Sequence, residues 1–587
     1  LHDCRRGKKL NRREFLELIA KAGVTASLSG CHSLADKNAS GLYELSQFGQ
    51  ARVLHITDTH AQLMPVYFRE PSVNLGLGSA KGKMPHRVGK NLLSELTEVN
   101  PMLSHAFTYL DFTEAAQRYG KVGGFSHLAT LIERLRGETG GALLLDGGDT
   151  WQGSGTALWT RGKDMVGACN LLGVDVMTGH WEFTYDAAEV IDNAADFKGE
   201  FVAQNIRATE DAMFEGVDVF DDDTGHVFKP YVMKEQNGYR IAVIGQAFPY
   251  TPIANPSRFI PDWTFGIQEE DLAQLVEDIR IREKPHAVIL LSHNGMDVDL
   301  KLASRVSGID AILGGHTHDG VPVPVVVNNA GGKTIVTNAG SNGKFVGVLD
   351  LEFGRAGVVG YRYRLLPVFS NLLDEHAGMA KYISEVRAPY LPTLNEELAT
   401  SESLLYRRGN FNGTFDQVIC DALLVQLDSQ ISLSPGFRWG TTVLPGDTIT
   451  MERVLDQTCM TYPETYVREM EGHELKTILE SVSDNIFTPD PYYQQGGDMV
   501  RTGGMSYSCA PRNGFGERIS DLRLRDGSLI NSNKRYKVAG WATVGSKSTG
   551  PAVWDVVADH LRDKKEISVD RVETPALKGI TNNPGLA

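Results

Sequence analysis

The chain has 587 residues, with 58 Lys and Arg against 73 Asp and Glu; the formal charge of −15 argues against a dedicated nucleic-acid binder. At 42% hydrophobic and 22% charged residues it holds ample material for a large core, which excludes intrinsic disorder, and its length allows two or more domains. The six cysteines (Cys4, Cys31, Cys169, Cys420, Cys459 and Cys509) form no CxxC pair and no dense spacing, so neither a thiolate zinc site nor a disulfide framework is indicated.

Residues 1–34 read as an address rather than as structure. Arg5, Arg6, Lys8, Lys9, Arg12 and Arg13 precede the apolar stretch Leu18 to Leu28, and Asn11-Arg12-Arg13-Glu14-Phe15-Leu16 resembles the twin-arginine export signal. The stretch is short and broken by Lys21, unlike the ~20 apolar residues of a spanning helix, so no transmembrane segment is expected. Leu28-Ser29-Gly30-Cys31 resembles a lipoprotein cleavage box, which would place a lipid on Cys31; ordinary removal of the signal is the alternative. Either way the mature protein is expected to be exported to the periplasm.

Beyond a polar stretch, short β-rich runs alternate with helical ones in an α/β pattern. Candidate strands are Ala51 to Thr57, Ala142 to Asp146, Val174 to Thr178, Glu200 to Ala203, Ile241 to Gly245, His286 to Ser292, Ile309 to Leu313, Thr334 to Asn338 and Val346 to Phe353. Pro65 to Gly120 reads as an insertion. A helix from Asp374 to Val386 leads through Pro389 and Pro392 into a second segment, so the division expected is a catalytic domain over 50–373, a linker over 374–396 and a smaller α/β domain over 397–587.

Five polar clusters follow the apolar runs: Asp58-Thr59-His60, Gly147-Gly148-Asp149, Gly179-His180, Ser292-His293-Asn294-Gly295 and Gly314-Gly315-His316-Thr317-His318. The carboxyl end of a buried strand is where α/β sheets place ligands and catalytic groups. Any one cluster alone is an ordinary turn or core histidine. Together, Asp58, Asp149, His60, His180, His293, His316 and His318 suffice for two ions of manganese, iron, cobalt or zinc, with one carboxylate bridging.

The ordered set resembles the calcineurin-like metallophosphoesterases, and within them the periplasmic nucleotidase branch. The resemblance implies a four-layer α-β-β-α sandwich in which Asp58, His60 and His318 bind one ion, His180, His293 and His316 the other, and Asp149 bridges them and holds a hydroxide between the ions. Lys121-Val122-Gly123-Gly124-Phe125 matches the branch's lead-in to the bridging aspartate.

One departure is informative. Where nucleotidases read Gly-Asn-His-Glu-Phe-Asp, this chain reads Gly179-His180-Trp181-Glu182-Phe183-Thr184, so Trp181 and Thr184 stand where the non-ligand catalytic histidine and its aspartate partner would be. This run, and Phe437-Arg438-Trp439-Gly440, look like the SoxB thiosulfohydrolases of bacterial sulfur oxidation. That likeness implies a dimanganese enzyme that hydrolyses cysteine-S-thiosulfonate on the SoxYZ carrier protein, reached through the carrier's cysteine-bearing C-terminal arm, with release of sulfate. A monomer is expected. Alternatives are a periplasmic 5'-nucleotidase or phosphodiesterase and a non-catalytic module that only binds a carrier.

In the nucleotidase branch, arginines of two C-terminal loops hold the substrate, which makes Arg408 and Arg438 candidates for binding the sulfonate or the carrier's backbone; surface ion pairing is the plainer alternative. Trp181 is a candidate wall against the carrier's arm, or simply core. The aromatic, glycine-rich loop Pro491 to Arg501 is a further candidate for lining a channel. Cys420, Cys459 and Cys509, and His55, His86, His105 and His127, are read as structural.

Overall fold

The computed structural model describes residues 41–587 except Glu98, Ala356 and Ala587, so the expected export signal and Cys31 lie outside the described residues. Two six-stranded sheets carry the first part of the chain. One runs in the order Gly357–Pro367, Phe345–Gly354, Ala51–Ile56, Leu143–Asp146, Val176–Met177, Glu200–Phe201, and the other Val325–Asn329, Gly332–Asn338, Ala311–Gly314, Ala287–Ser292, Tyr239–Gln246, Tyr231–Gln236. Ala51–Ile56 pairs in parallel with Leu143–Asp146, and Ala287–Ser292 with both Ala311–Gly314 and Tyr239–Gln246. These inner strands are largely apolar, as strands buried on both faces are, and the one buried arginine of Ala51–Ile56, Arg52, is paired with Asp350 and Glu138. All six residues of Ala51–Ile56 and of Ala287–Ser292 are buried.

Helices complete the sandwich. Glu269–Arg282 and Met296–Arg305 cover the second sheet through Leu272, Val276, Ile279 and Leu302, which share a core with Ile244 and Leu290. Phe125–Gly137 buries Phe125, Leu128, Leu131 and Leu135, four apolar positions at helical spacing. Its start requires glycine: Gly124 has φ +84°, and a Cβ there would lie 2.8 Å from Pro65. The result is the four-layer α-β-β-α arrangement.

The strands absent from the sequence reading, Tyr231–Gln236, Val325–Asn329 and Gly357–Pro367, are all at sheet edges. Their burial is partial or alternating, and their apolar runs are short, as with Val325 to Val327.

After the helix Ala377–Arg387, a smaller α/β domain is built on a sheet ordered Thr465–Glu471, Arg535–Trp541, Ile431–Ser434, Arg501–Gly503. Thr414–Gln426, Met451–Thr458 and Val553–Lys564 share one apolar core. That core also includes Trp181 from the first domain. The segment 65–120 adds further ties, pairing Tyr67 with Thr442 and Val73 with Leu586.

Candidate metal centre

Each expected ligand follows the C-terminal end of an inner strand. Asp58 and His60 follow Ala51–Ile56, Asp149 follows Leu143–Asp146, His180 follows Val176–Met177, His293 follows Ala287–Ser292, and His316 and His318 follow Ala311–Gly314. Their turns are tight enough to force left-handed backbone on residues with side chains: Asp58 (φ 51°), His60 (45°), Asp149 (57°), His316 (71°) and His318 (58°). Such strain persists only where the surroundings over-determine it, and it gathers at functional sites.

The structure brings all seven together. Asp58, His60, Asp149 and His318 form one group and Asp149, His180, His293 and His316 another, with the ligand atoms in each within 4.8 Å of one another and Asp149 common to both. Asp149 Oδ2 lies 3.0 Å from His293 Nε2 and 3.7 Å from His60 Nε2, and Oδ1 lies 3.3 Å from His180 Nδ1. His318 Nε2 is 3.3 Å from Asp58 Oδ1. Every member is at most 8% exposed.

The residues fit two metal ions. The Nε2 atoms of His180 and His316 are buried without a hydrogen-bond partner, which is costly unless another ligand takes them. His60 Nδ1 faces the Gln152 carbonyl at 3.2 Å and His293 Nδ1 the Gly147 carbonyl at 2.6 Å, so each ring donates there and leaves Nε2 as the ligand atom. Burial, with Arg408 next to His318 and His180 next to His316, holds both of these imidazoles well below the usual range, in the neutral ligating form. Burial opposes charge on Asp149, but His293 and His180 overcome it and keep the carboxyl well below the ordinary range. Conversely, Asp149 and Asp58 outweigh burial and raise His293 to about 10.

Glu182 is the residue that the sequence reading passed over. It is fully buried in the turn Trp181–Tyr185, and its carboxylate accepts from the backbone N–H groups of Asp149 (3.2 Å), Thr150 (2.7 Å), Trp151 (3.1 Å) and His180 (2.8 Å). One side chain therefore fixes both the bridging-aspartate loop and the His180 loop. Asp58 is held comparably, by Thr57 Oγ1 at 2.6 Å and the His316 N–H at 2.9 Å.

Arg408 and Arg438 come from the smaller domain and reach the same loops. Arg408 Nη2 donates to the carbonyls of Thr317 (3.1 Å) and His318 (3.0 Å), and Arg438 to those of His316 (3.3 Å) and Gly497 (2.8 Å). Both line a cavity of about 1020 Å³ bounded also by His316, Thr317, Asn294 and Gly295. Within the loop Pro491 to Arg501, Pro491, Gln494, Gly496, Gly497 and Asp498 line it too. Gly496 has φ +80°, and a Cβ there would lie 2.0 Å from His316 Nε2.

Trp181 is 6% exposed and packs edge-on against Trp439 (5.2 Å) and Phe437 (5.6 Å), while its backbone N–H donates to Asp149 Oδ1 at 2.7 Å. Its side chain is therefore a wall between the domains. Thr184 Oγ1 bonds Thr461 Oγ1 at 2.6 Å. His86 lines the cavity. His55, His105 and His127 are buried, with His127 Nδ1 on the Leu373 carbonyl at 2.8 Å. Cys169, Cys420, Cys459 and Cys509 are buried free thiols that burial pushes upward, Cys509 to about 11, which leaves none as a nucleophile.

A calcineurin-like phosphoesterase model matches residues 51–320, and a 5'-nucleotidase C-terminal domain model matches 398–558. The structure of sulfate thiohydrolase SoxB of Thermus thermophilus is 34% identical, with TM-score 0.84, and the match covers 92% of this chain and 98% of that one. The chain belongs to the 5'-nucleotidase branch of the calcineurin-like phosphoesterases. Members of this family are hydrolases, and the paired groups around Asp149 fit its dinuclear centre. The trifunctional nucleotide phosphoesterase YfkN of Bacillus subtilis is 27% identical over 549 residues, covering 84% of this chain and 34% of that protein. The 5'-nucleotidase of Rattus norvegicus is 26% identical over 328 residues, covering 52% of this chain and 54% of that protein. The chain thus spans between about a third and about half of the length of these curated relatives. A 5'-nucleotidase precursor from Thermus thermophilus, at 20% identity and TM-score 0.71, shares the fold; the match covers 91% of this chain and 100% of that one. Among the described residues no helix is long and apolar enough to cross a membrane.

Proposed function

We propose that the chain hydrolyses the terminal sulfonate of a cysteine-S-thiosulfonate carried by a SoxYZ-type protein, releasing sulfate and leaving a persulfide, with two manganese ions in the centre and the periplasm as its compartment. The observation that carries this reading is the Trp181 position. The side chain that a nucleotidase uses for its non-ligand histidine is here an indole packed against Trp439 and Phe437, while every metal-ligand position keeps a ligating residue. Similarity to SoxB, named as a sulfate thiohydrolase, supports the same reading.

Two divalent ions bound between the ligand groups would lower the pKa of water from ~15.7 to near neutrality and polarise the sulfonate oxygens. The protein's own contribution is placement. Asp149 is oriented by the Trp181 N–H and, through Glu182, by its own loop. Arg408 and Arg438 bring two guanidiniums to the cavity wall beside His316 and Thr317, where planar donors suit a sulfonate. A sugar alkoxide is a basic leaving group, whereas a persulfide is stable as the anion, so the leaving atom needs little help. Loss of an oxyanion-stabilising donor of ~3 kcal/mol at position 181 is then tolerable for thiosulfonate and severe for phosphate esters.

The test is sulfate release from thiosulfonate-loaded carrier by manganese-loaded protein, run beside a nucleotide phosphatase assay and an Asp149→Asn control. Sulfate release that vanishes in the control, with little phosphatase activity, supports the proposal. Phosphate release without sulfate favours the nucleotidase reading, to which the curated relatives give weight.

A further inference from the structure

Arg438 reaches the cavity on a loop that another loop braces. It follows the strand Ile431–Ser434, which pairs antiparallel with Arg501–Gly503, so the loop leaving the first strand runs beside the loop entering the second. The two touch backbone to backbone. The Asp498 N–H donates to the Gly436 carbonyl at 2.9 Å, and a Cβ on Gly436 would lie 2.2 Å from the Asp498 carbonyl oxygen. This close approach sets the Asp498 carboxylate beside the Arg438 guanidinium, with Oδ1 3.7 Å from Nε.

Asp498 is also one end of an alternating chain of buried charges. Its Oδ2 accepts from Arg501 Nη2 at 3.1 Å, Arg501 Nε lies 3.4 Å from Asp416 Oδ2, and Asp416 Oδ1 accepts from Arg407 Nε at 2.8 Å. All four side chains are at most 1% exposed. Arg407 in turn donates to the Pro435 carbonyl at 3.3 Å, in the loop that carries Arg438. The Asn410 amide donates to Asp498 Oδ1 at 3.2 Å. Burying so many charges is costly, so the chain is weak evidence for stability; what it secures is geometry.

Arg438 depends on that geometry. Its Nη1 and Nη2 each donate to one carbonyl, of His316 and of Gly497, which leaves one N–H on each terminal nitrogen for a ligand. Burial works against its charge, Asp498 is the leading group that opposes burial, and Arg408 adds to the loss. Burial opposes charge on Asp498 as well, but Arg501, Arg438 and Arg408 overcome it and keep the carboxyl below the ordinary range.

We propose that Asp498 is a positioning residue, which holds the Arg438 guanidinium so that its two free N–H groups face a tetrahedral oxyanion in the cavity. It touches no reacting atom and acts through Arg438. That the oxyanion is a sulfonate rests on the thiosulfonate reading; the positioning does not.

The experiment is a double-substitution cycle on metal-loaded protein, read by calorimetric affinity for inorganic sulfate and inorganic phosphate. Asp498→Asn should weaken binding about tenfold, as loss of a charged partner does. The same change made in Arg438→Gln protein should weaken it further by less than about twofold, because its effect passes through Arg438. In thiosulfonate hydrolysis, Asp498→Asn should raise KM about tenfold and change kcat by less than about threefold. Unchanged affinity in Asp498→Asn, an equal loss with and without Arg438, or a wild type that binds neither anion overturns the proposal. A wild type that binds sulfate but hydrolyses no thiosulfonate sinks the thiosulfonate reading alone, and the cycle still decides the positioning. Should Asp498→Asn fail to fold, Arg501→Lys takes its place, keeping a cation beside Asp498 without the Nη2 bond. Its loss should be about threefold and absent in Arg438→Gln protein; a loss that persists there refutes the proposal.

Discussion

Glu182→Gln is the sharpest test of how the centre is assembled. Oε1 of Glu182 accepts from Thr150 and Trp151, and Oε2 from Asp149 and His180. Burial, and then Asp149, push this carboxyl up while the backbone donors pull it down, and only the ionised form can serve all four donors. An amide retains one oxygen, and in either orientation its NH2 faces two N–H groups. Two buried donors are then left without acceptors, at ~1–3 kcal/mol each, or ~2–6 kcal/mol together. The affected loops carry the bridging Asp149 and His180, so metal affinity should also fall by about 10–100-fold, as when a partner of a ligand is removed. Metal content after dialysis against graded chelator reads the second effect, and the thermal midpoint of metal-free protein the first; a drop of about 2–5 °C is expected for a chain of this length. A variant that kept both wild-type values would refute the account of Glu182 as the link between the two loops.

Gly496→Ala places a Cβ 2.0 Å from His316 Nε2 at a φ of +80°, so either the loop or the imidazole must move; metal titration should show the site of His180, His293 and His316 weakened while the other persists. Metal uptake should be proton-coupled, because His293, raised to about 10 from an ordinary 6.5, must lose its proton to ligate. Calorimetry in buffers of different ionisation heat should report proton release that fades as pH approaches 10. The sign for metal-free stability is opposite: the raised pKa stabilises fully below about pH 6.5 and that stabilisation is lost as pH rises to 10, so the metal-free midpoint should fall across this window. Trp181→His with Thr184→Asp should raise phosphatase activity by about a hundredfold in folded, metal-loaded protein; no rise would remove the leaving-group argument.

The candidate ligands were legible because each is a local event. A run such as Ala287–Ser292, apolar at nearly every position, announces a doubly buried strand, and the histidine directly after it occupies the ligand-bearing end. The α/β class followed from the same runs, and the four-layer sandwich from the resemblance to the calcineurin-like phosphoesterases. What remained hidden depends on contacts between distant segments: the edge strand Val325–Asn329 alternates in burial and its apolar stretch ends at Val327, and Glu182 matters through N–H groups of residues 149–151 about thirty positions earlier. No composition signal marks Asp58, His60 or Asp149 as left-handed, since that conformation is imposed by the turn and not preferred by the residue. The cavity was least legible of all, because its walls come from distant parts of the chain, residues 71–86, 294–319, 408–438 and 485–518.

Trp181 shows how the candidate ligand geometry can be kept whatever side chain stands at this position. The position serves twice. Its backbone N–H holds Asp149 Oδ1 at 2.7 Å, a duty that any residue but proline performs, and its side chain projects toward the smaller domain, where the indole joins a core with Trp439 and Leu405. Substitution therefore separates ligand geometry from side-chain chemistry. The turn still delivers His180 and Glu182 to their places, and the exchanged side chain alters what joins the two domains. A histidine at 181 would leave part of the space filled by the indole empty beside Phe437 and Trp439, so a gain in phosphate chemistry should come with looser packing between the domains. A variant that gained phosphatase activity with an undiminished thermal midpoint would show that the indole contributes little to that contact.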